Sequence, residues 1–294
     1  NSAVTTDGGY TWKYLNVSGA GWGGFNYGGY AFSATRLVAA NADSWGGTRT
    51  LRISTNGGNT WIALTNTGNF TDAACGDPKN PAIGFWHNWR TTDAGTTWTR
   101  LNGCDGVFTY NPTGSQELYG VVGGKTVVKS LDSGVTWTTV TTLSSGAIED
   151  VAFDHSRNRL YIVDGPGRKL YRWQGGVLTE ITSTLPADNN NAKGANTVAV
   201  DPVNPDVVYV GKSADIYCSS ASVVRSTNAG TNWTILTRQG ADGGLDGGRE
   251  ANVYEMKNGM PVIDSSLRLS DAAGETVLAV FSLSTRSGSQ NTEQ

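Results

Sequence analysis

The amino-acid sequence predicts an all-β protein, a β-propeller built of four-stranded antiparallel blades, and three observations carry that expectation. One eight-residue pattern, Ser/Thr-x-Asp/Asn-x-Gly-x-Thr/Asn-Trp, recurs five times, at Thr5–Trp12, Ser54–Trp61, Thr91–Trp98, Ser130–Trp137 and Ser226–Trp233. Short strand-like runs flank the copies in a constant order, four per unit, which is the make-up of one propeller blade. The 294 residues include 39 Gly, ten Trp and eleven Tyr with only 16% charged side chains, the balance expected of short strands joined by glycine-rich turns.

The pattern reads as a hairpin turn between the third and fourth strands of a unit, here called C and D. Its hydroxyl and Asx side chains can bond turn backbone, its glycine can take positive φ, and its Trp can fold back over the turn. Asn56 and Asn228 stand where Asp7, Asp93 and Asp132 stand. A proton donor or metal ligand would not tolerate that exchange, whereas a turn former does, so the pattern itself is structural.

Taken in order, Asn1–Val4 precede the first copy and Lys13–Val17 follow it as a strand. The second unit has strand-like runs at Tyr30–Thr35, Leu37–Ala40, Thr48–Ile53 and Trp61–Leu64. The fourth has Gly106–Tyr110, Leu118–Val122, Thr126–Lys129 and Trp137–Val140, and the sixth repeats the order from Thr197 to Leu236. Two copies are degenerate: Tyr171–Ile181 keeps a glycine pair and loses the Trp, and the run from Leu267 aligns with that from Leu51. The copies therefore begin near 5, 54, 91, 130, 172, 226 and 270, which predicts seven blades in one domain over 1–284, with a polar tail over 285–294. The first unit shows only its C and D strands, and a closed ring needs partners for every sheet edge, so the chain is expected to be a piece of a longer polypeptide.

A second repeat, CGDPKNP, TYNPTGS, AFDHSRN and AVDPVNP, marks Asx- and Pro-based turns between the first two strands, A and B. It places the adjacent Asp154 and His155 in an ordinary turn. The net charge of −3 and pI of 5.4 argue against nucleic acid and anionic membranes as partners. No apolar stretch is long enough to insert in a membrane, and no cofactor or metal is expected. Cys75 and Cys104 flank the third copy and could form a disulfide, which spacing alone leaves open. Sequons occur at Asn16, Asn69 and Asn232.

Strand alternation puts the short A–B and C–D turns at one end and the B–C and D–A connections at the other. The long irregular segments, 18–29, 41–47, 186–195, 212–220 and 238–249, all belong to that second end, where recognition residues are expected. Trp22, Tyr27, Trp45 and Tyr217 lie in these segments and offer flat faces on which sugar rings stack. Trp86 and His87 sit at a tight B–C corner of the same end, and Arg249 closes the last segment; all seven are candidate ligand-binding residues. Glycoside hydrolysis needs two carboxylates roughly 5 to 9.5 Å apart. Asp43, Asp242, Asp246 and Glu250 are the candidate catalytic acids from this end; Asp72, Asp105, Glu149 and Asp150 are also free of the repeat.

The eight-residue pattern closely resembles the Asp-box, or BNR repeat, of sialidases, paired-propeller xyloglucan hydrolases, sortilin-type receptors and the photosystem II assembly factor. The resemblance covers essentially the whole chain and implies the fold more strongly than any activity. A sialidase would need a three-arginine clamp and the family's Arg-Ile-Pro signature, which is absent; Arg52, Arg90, Arg225 and Arg268 are repeat-locked in strand C instead. The opening TTDGGYTWKYLN and the turn DPVNPDVVYVG look more like the xyloglucan-hydrolase type. Two readings follow: an extracellular or virion-surface propeller that binds a carbohydrate polymer and is a glycoside hydrolase in its enzymatic form, or a non-catalytic interaction or structural module that assembles with other protein subunits. The location is inferred from surface chemistry, since the chain shows no signal peptide.

Overall fold

The computed structural model describes residues 2–4, 11, 13–15, 17, 25–42, 49–64, 74–187, 194–212, 222–238, 256–257 and 260–261. A hairpin of β1 (Ser2–Val4) and β2 (Lys13–Leu15) comes first. Five four-stranded antiparallel sheets follow. The first holds β3 (Phe25–Ala31), β4 (Leu37–Ala42), β5 (Arg49–Ser54) and β6 (Ile62–Ala63). The second holds β7 (Ala74–Gly76), β8 (Gly84–Trp86), β9 (Trp89–Thr91) and β10 (Thr99–Arg100). The third holds β11 (Gly106–Tyr110), β12 (Leu118–Val122), β13 (Thr126–Ser130) and β14 (Thr138–Thr142). The fourth holds β15 (Ile148–Asp154), β16 (Arg159–Asp164), β17 (Lys169–Gln174) and β18 (Val177–Glu180). The fifth holds β19 (Thr197–Val200), β20 (Val208–Lys212), β21 (Ser222–Ser226) and β22 (Thr234–Arg238). A two-residue-stranded hairpin, β23 (Met256–Lys257) with β24 (Met260–Pro261), is described last.

Each sheet pairs its strands in chain order, and the first strand of each contacts the first strand of the next, β3 with β7, β7 with β11, β11 with β15 and β15 with β19. First strands therefore lie innermost and fourth strands outermost, the arrangement of propeller blades.

The recurrent turns close the third-to-fourth-strand hairpins. In each, the leading hydroxyl accepts the N–H of the glycine four residues on: Gly58 to Ser54 Oγ at 2.8 Å, Gly95 to Thr91 Oγ1 at 2.9 Å, Gly134 to Ser130 Oγ and Gly230 to Ser226 Oγ both at 2.8 Å. The Asx oxygen accepts the N–H of the residue before the Trp, at 2.9 Å for Asn56 with Thr60, Asp93 with Thr97 and Asp132 with Thr136, and 2.8 Å for Asn228 with Asn232. Asn and Asp thus perform the same backbone task. The indole N–H of Trp61 and of Trp98 donates to the carbonyl of Gly58 and of Gly95 at 3.1 and 3.0 Å. In the degenerate fourth sheet, Gly175 and Gly176 at φ +59° and +85° make the tight hairpin alone.

These turns also dock the sheets on one another. A Cβ on Gly95 would stand 2.8 Å from both Phe32 and Val38 of the preceding sheet, and one on Gly134 would stand 2.9 Å from Phe85. Leu15 of the first hairpin fills the same place over Gly58, and Tyr161 the same place over Gly230. Between sheets the core is apolar: Phe32, Val38, Leu51 and Ile53 close around Trp86, and Val121, Leu160 and Ile162 around Tyr119 and Phe153. Each fully buried aliphatic side chain contributes about 1.5–3 kcal/mol.

The glycine-rich segment predicted as connection up to Gly29 enters a strand at Phe25. β3 is an inner edge strand hydrogen-bonded on one side only, where glycines are accommodated, and a bulge between Asn26 and Gly28 absorbs the extra residue, Tyr27. Cys75 and Cys104 are both buried as thiols in one apolar cluster. Burial pushes the Cys104 thiol up to about 12, against hydrogen bonds to the carbonyls of Gly106 and Val121 that act the other way. Among the described residues no helix is long and apolar enough to cross a membrane.

Candidate functional site at the connection end

Hydrogen bonds assign the two ends of the sheets. Residues 57, 94, 133 and 229 of the recurrent turns donate to the carbonyls of Thr35, Ala82, Gln116 and Asp206, so A–B and C–D turns share one end. At the other end the B–C corner of one sheet holds the start of the next: Val107 donates to His87 O at 3.0 Å, Ile148 to Gly124 O at 2.7 Å and Ala195 to Arg168 O at 2.9 Å. The described strand ends that flank 43–48, 65–73, 188–193 and 213–221 lie at this second end.

Charged side chains fasten this end, each in its own way. Asp150 is buried and accepts the Thr197 hydroxyl at 2.6 Å and the N–H groups of Val198 and Val151 at 2.8 Å, so it ties the fourth sheet to the fifth. Asp164, at the end of β16, is buried under its corner and accepts from Ala147 N at 3.1 Å and Gly167 N at 3.2 Å. Lys212, equally placed at the end of β20, is fully buried and donates to Pro186 O at 2.5 Å, anchoring the connection that enters the fifth sheet. Asp105 accepts Gly123 N at 2.7 Å. Glu149 alone of these carboxylates combines exposure with a seat on a β-bulge, between Ile148 and Asp150.

The predicted ligand-binding residues fare differently. Trp86 is fully buried inside the first-to-second-sheet core, so it offers no face to a ligand; it ends β8, a strand with a core on each face, Phe85 packing on the third-sheet side and Trp86 on the first-sheet side. His87 is at the corner, half-buried at φ +53°, with Nδ1 3.3 Å from Asn88 Oδ1 and its ring over Gly106 of the next sheet. Tyr27 lies on β3 at the bulge, at the connection end. Trp22, Asp43, Trp45, Tyr217, Asp242, Asp246, Arg249 and Glu250 lie outside the described residues.

The tempting Asp154 is buried and satisfied by Ser156 N, Ser156 Oγ, Arg157 N and Arg157 Nη1, all at 2.8–3.2 Å, an A–B turn as predicted. Asp77, Asn111 and Asp201 accept the same i+2 N–H. The strand-C cations stand opposite strand-B aromatics, Arg90 with Phe85, Lys129 with Tyr119, Arg172 with Tyr161 and Arg225 with Tyr209. One per sheet, they are spread around the ring and do not converge into a carboxylate clamp. Among the described residues no group of three His, Cys, Asp or Glu side chains stands together to hold a metal ion.

Sequence reasoning passed over Lys212, whose signal was a lysine ending an otherwise apolar strand, VVYVGK; it named Asp150 only as an acid free of the repeat, and its bridging role was not legible because its partners Thr197 and Val198 come from another sheet.

No family model matches the chain. A xyloglucanase, Xgh74A of Acetivibrio thermocellus, is 24% identical over 191 residues, covering 52% of this chain and 23% of the xyloglucanase. The chain is distantly similar to GH74 xyloglucanases. Among solved structures, the GH74 enzyme of Niastella koreensis superposes with a TM-score of 0.54 at 23% identity, covering 71% of this chain and 38% of that enzyme. The GH74 xyloglucanase of Xanthomonas campestris superposes with a TM-score of 0.51 at 20% identity, covering 70% and 37%. At these identities the structural likeness carries the fold, and the chain spans well under half the length of these relatives.

Proposed function

We propose that this chain is a seven-bladed propeller, with Asp-box turns at one end, that recognises a β-glucan-type polysaccharide of the xyloglucan class at the other, outside the cell or on a virion surface. The observation that carries the reading is the match to a xyloglucanase over half of the chain, on a scaffold of four-stranded sheets in propeller-like array. In the enzymatic form, two acids from Asp43, Asp242, Asp246 and Glu250 supply general acid and base or nucleophile, their separation setting the stereochemical outcome. Trp22, Tyr27, Trp45 and Tyr217 supply stacking faces.

A binding module without hydrolysis is the second reading: Asp105, Asp150 and Asp164, described acids of this same end, are taken up by backbone N–H groups. Affinity electrophoresis in gels containing xyloglucan, alongside a reducing-end assay, tests both. Retardation with product release is the expected result for the enzyme; retardation without product assigns the binding module. Unretarded migration with every plant and bacterial polysaccharide tried would overturn the carbohydrate reading.

A further inference from the structure

We infer that Asn102 is a site of spontaneous covalent modification: the Gly103 nitrogen attacks the Asn102 side-chain amide and converts the residue to aspartate and isoaspartate. The change adds a carboxylate to the connection end and is independent of any ligand bound there.

The described residues contain the dipeptide Asn-Gly at 56–57 and at 102–103, and both asparagines are exposed. Glycine has no Cβ to shield its own nitrogen or to restrict the backbone, so both pairs have the same intrinsic reactivity. Reaction needs that nitrogen free to approach the asparagine Cγ, and here the two pairs differ. In the recurrent turn every participating group is held. Gly57 N donates to Thr35 O at 2.9 Å. Asn56 Oδ1 accepts Ser54 Oγ at 3.0 Å and Thr60 N at 2.9 Å, and Asn56 Nδ2 donates to Thr60 Oγ1 at 2.8 Å. Attack at Asn56 would have to break these bonds together.

Asn102-Gly103 lies in the connection from β10 to β11, at the end opposite the recurrent turns. The connection is fixed on either side, by Leu101 N donating to Asn88 O at 2.7 Å and Asp105 N donating to Val121 O at 2.8 Å. Between these anchors, neither the Asn102 side chain nor Gly103 N has a hydrogen-bond partner among the described residues, and both residues are exposed. The attacking nitrogen and the amide it attacks are thus both unrestrained and both open to water.

The chemistry balances with water as the one co-reactant. Gly103 N loses its proton and bonds to Asn102 Cγ; the Cγ–Nδ2 bond breaks, and the side-chain nitrogen takes up a proton and leaves as ammonia. Water then opens the cyclic imide. Addition at Cγ gives aspartate, and addition at the main-chain carbonyl of residue 102 gives isoaspartate.

The test incubates the folded protein at mildly alkaline pH, with a parallel sample in urea, and follows both sites by mass spectrometry of tryptic peptides. Leu101–Lys125 reports Asn102 and Ile53–Lys79 reports Asn56, with fragmentation assigning the residue. In the folded protein Asn102 is expected to convert at least about tenfold faster than Asn56, and in urea the two should convert at similar rates. Conversion of Asn56 as fast as Asn102 in the folded protein would overturn the inference. So would an Asn102 that stays unchanged when folded while it converts in urea.

Discussion

The two ends of these sheets are built on opposite principles. At the turn end four of the five described sheets solve the same problem with the same groups, a hydroxyl, an Asx oxygen and a glycine N–H, and the fourth sheet closes its hairpin with a glycine pair. The glycine there is needed twice over, for its positive φ and for the side chain of the preceding sheet that lies on it. At the connection end the described charged side chains differ from sheet to sheet. One uses Asp105 on Gly123, the next Asp164 on Ala147 and Gly167, and the next a buried Lys212 on Pro186. Uniformity marks the end whose task is closing a ring, and divergence marks the end free to acquire a ligand.

The contrast can be broken most severely at a docking glycine. Gly95→Ala adds a Cβ 2.8 Å from Phe32 and Val38 at φ +84°, and is expected to cost about 2–4 kcal/mol in urea denaturation. Gly124→Ala, at φ +66° with nothing within 4 Å, meets only the backbone penalty of about 1 kcal/mol. Equal costs would mean that the turn glycines serve conformation alone and do not seat the preceding sheet.

At the connection end, Asp150→Ala leaves Thr197 Oγ1 and two N–H groups buried without their acceptor, and should lower stability by about 2–3 kcal/mol. Hydrogen exchange should show β19 opening ahead of β20. A loss spread evenly over all sheets would contradict a bridge local to this end.

The smallest effect tests the interchange of Asp with Asn. Hydrogen bonds from Thr136 and Ser130 hold the Asp132 carboxyl at about 2, below its ordinary 3.8. Because the folded value is the lower one, the stabilisation is complete above the ordinary value and is lost as pH falls through about 2. Asp132 is partly exposed and screened by solvent, so Asp132→Asn should change stability at neutral pH by less than about 0.5 kcal/mol. It should flatten the melting-temperature profile between those pH values, as in the turns of Asn56 and Asn228, which have no such group to titrate. An unchanged acid slope would remove the carboxylate from the account.

Much of the fold was legible because its determinants are local. Residues 54 to 61 contain the side-chain donors and acceptors that shape their turn, so the pattern could be read from eight letters and counted along the chain. The A–B turns of Asp77, Asn111, Asp154 and Asp201 were legible for the same reason, each satisfied within three residues. Trp86 was misjudged because it belongs to β8 and not to the corner, and β8 is covered by a neighbouring sheet on each face.

What the sequence by itself determined is therefore the all-β class, the recurrent hairpin and the end of each sheet on which it lies. Tertiary structure decided what each acidic side chain of the connection end meets. Asp150 and Glu149 are adjacent letters, yet one is buried against Thr197 and the other lies over Gly165. Their difference arises from a bulge and from partners 47 and 16 residues away, and no local pattern encodes such distant contacts.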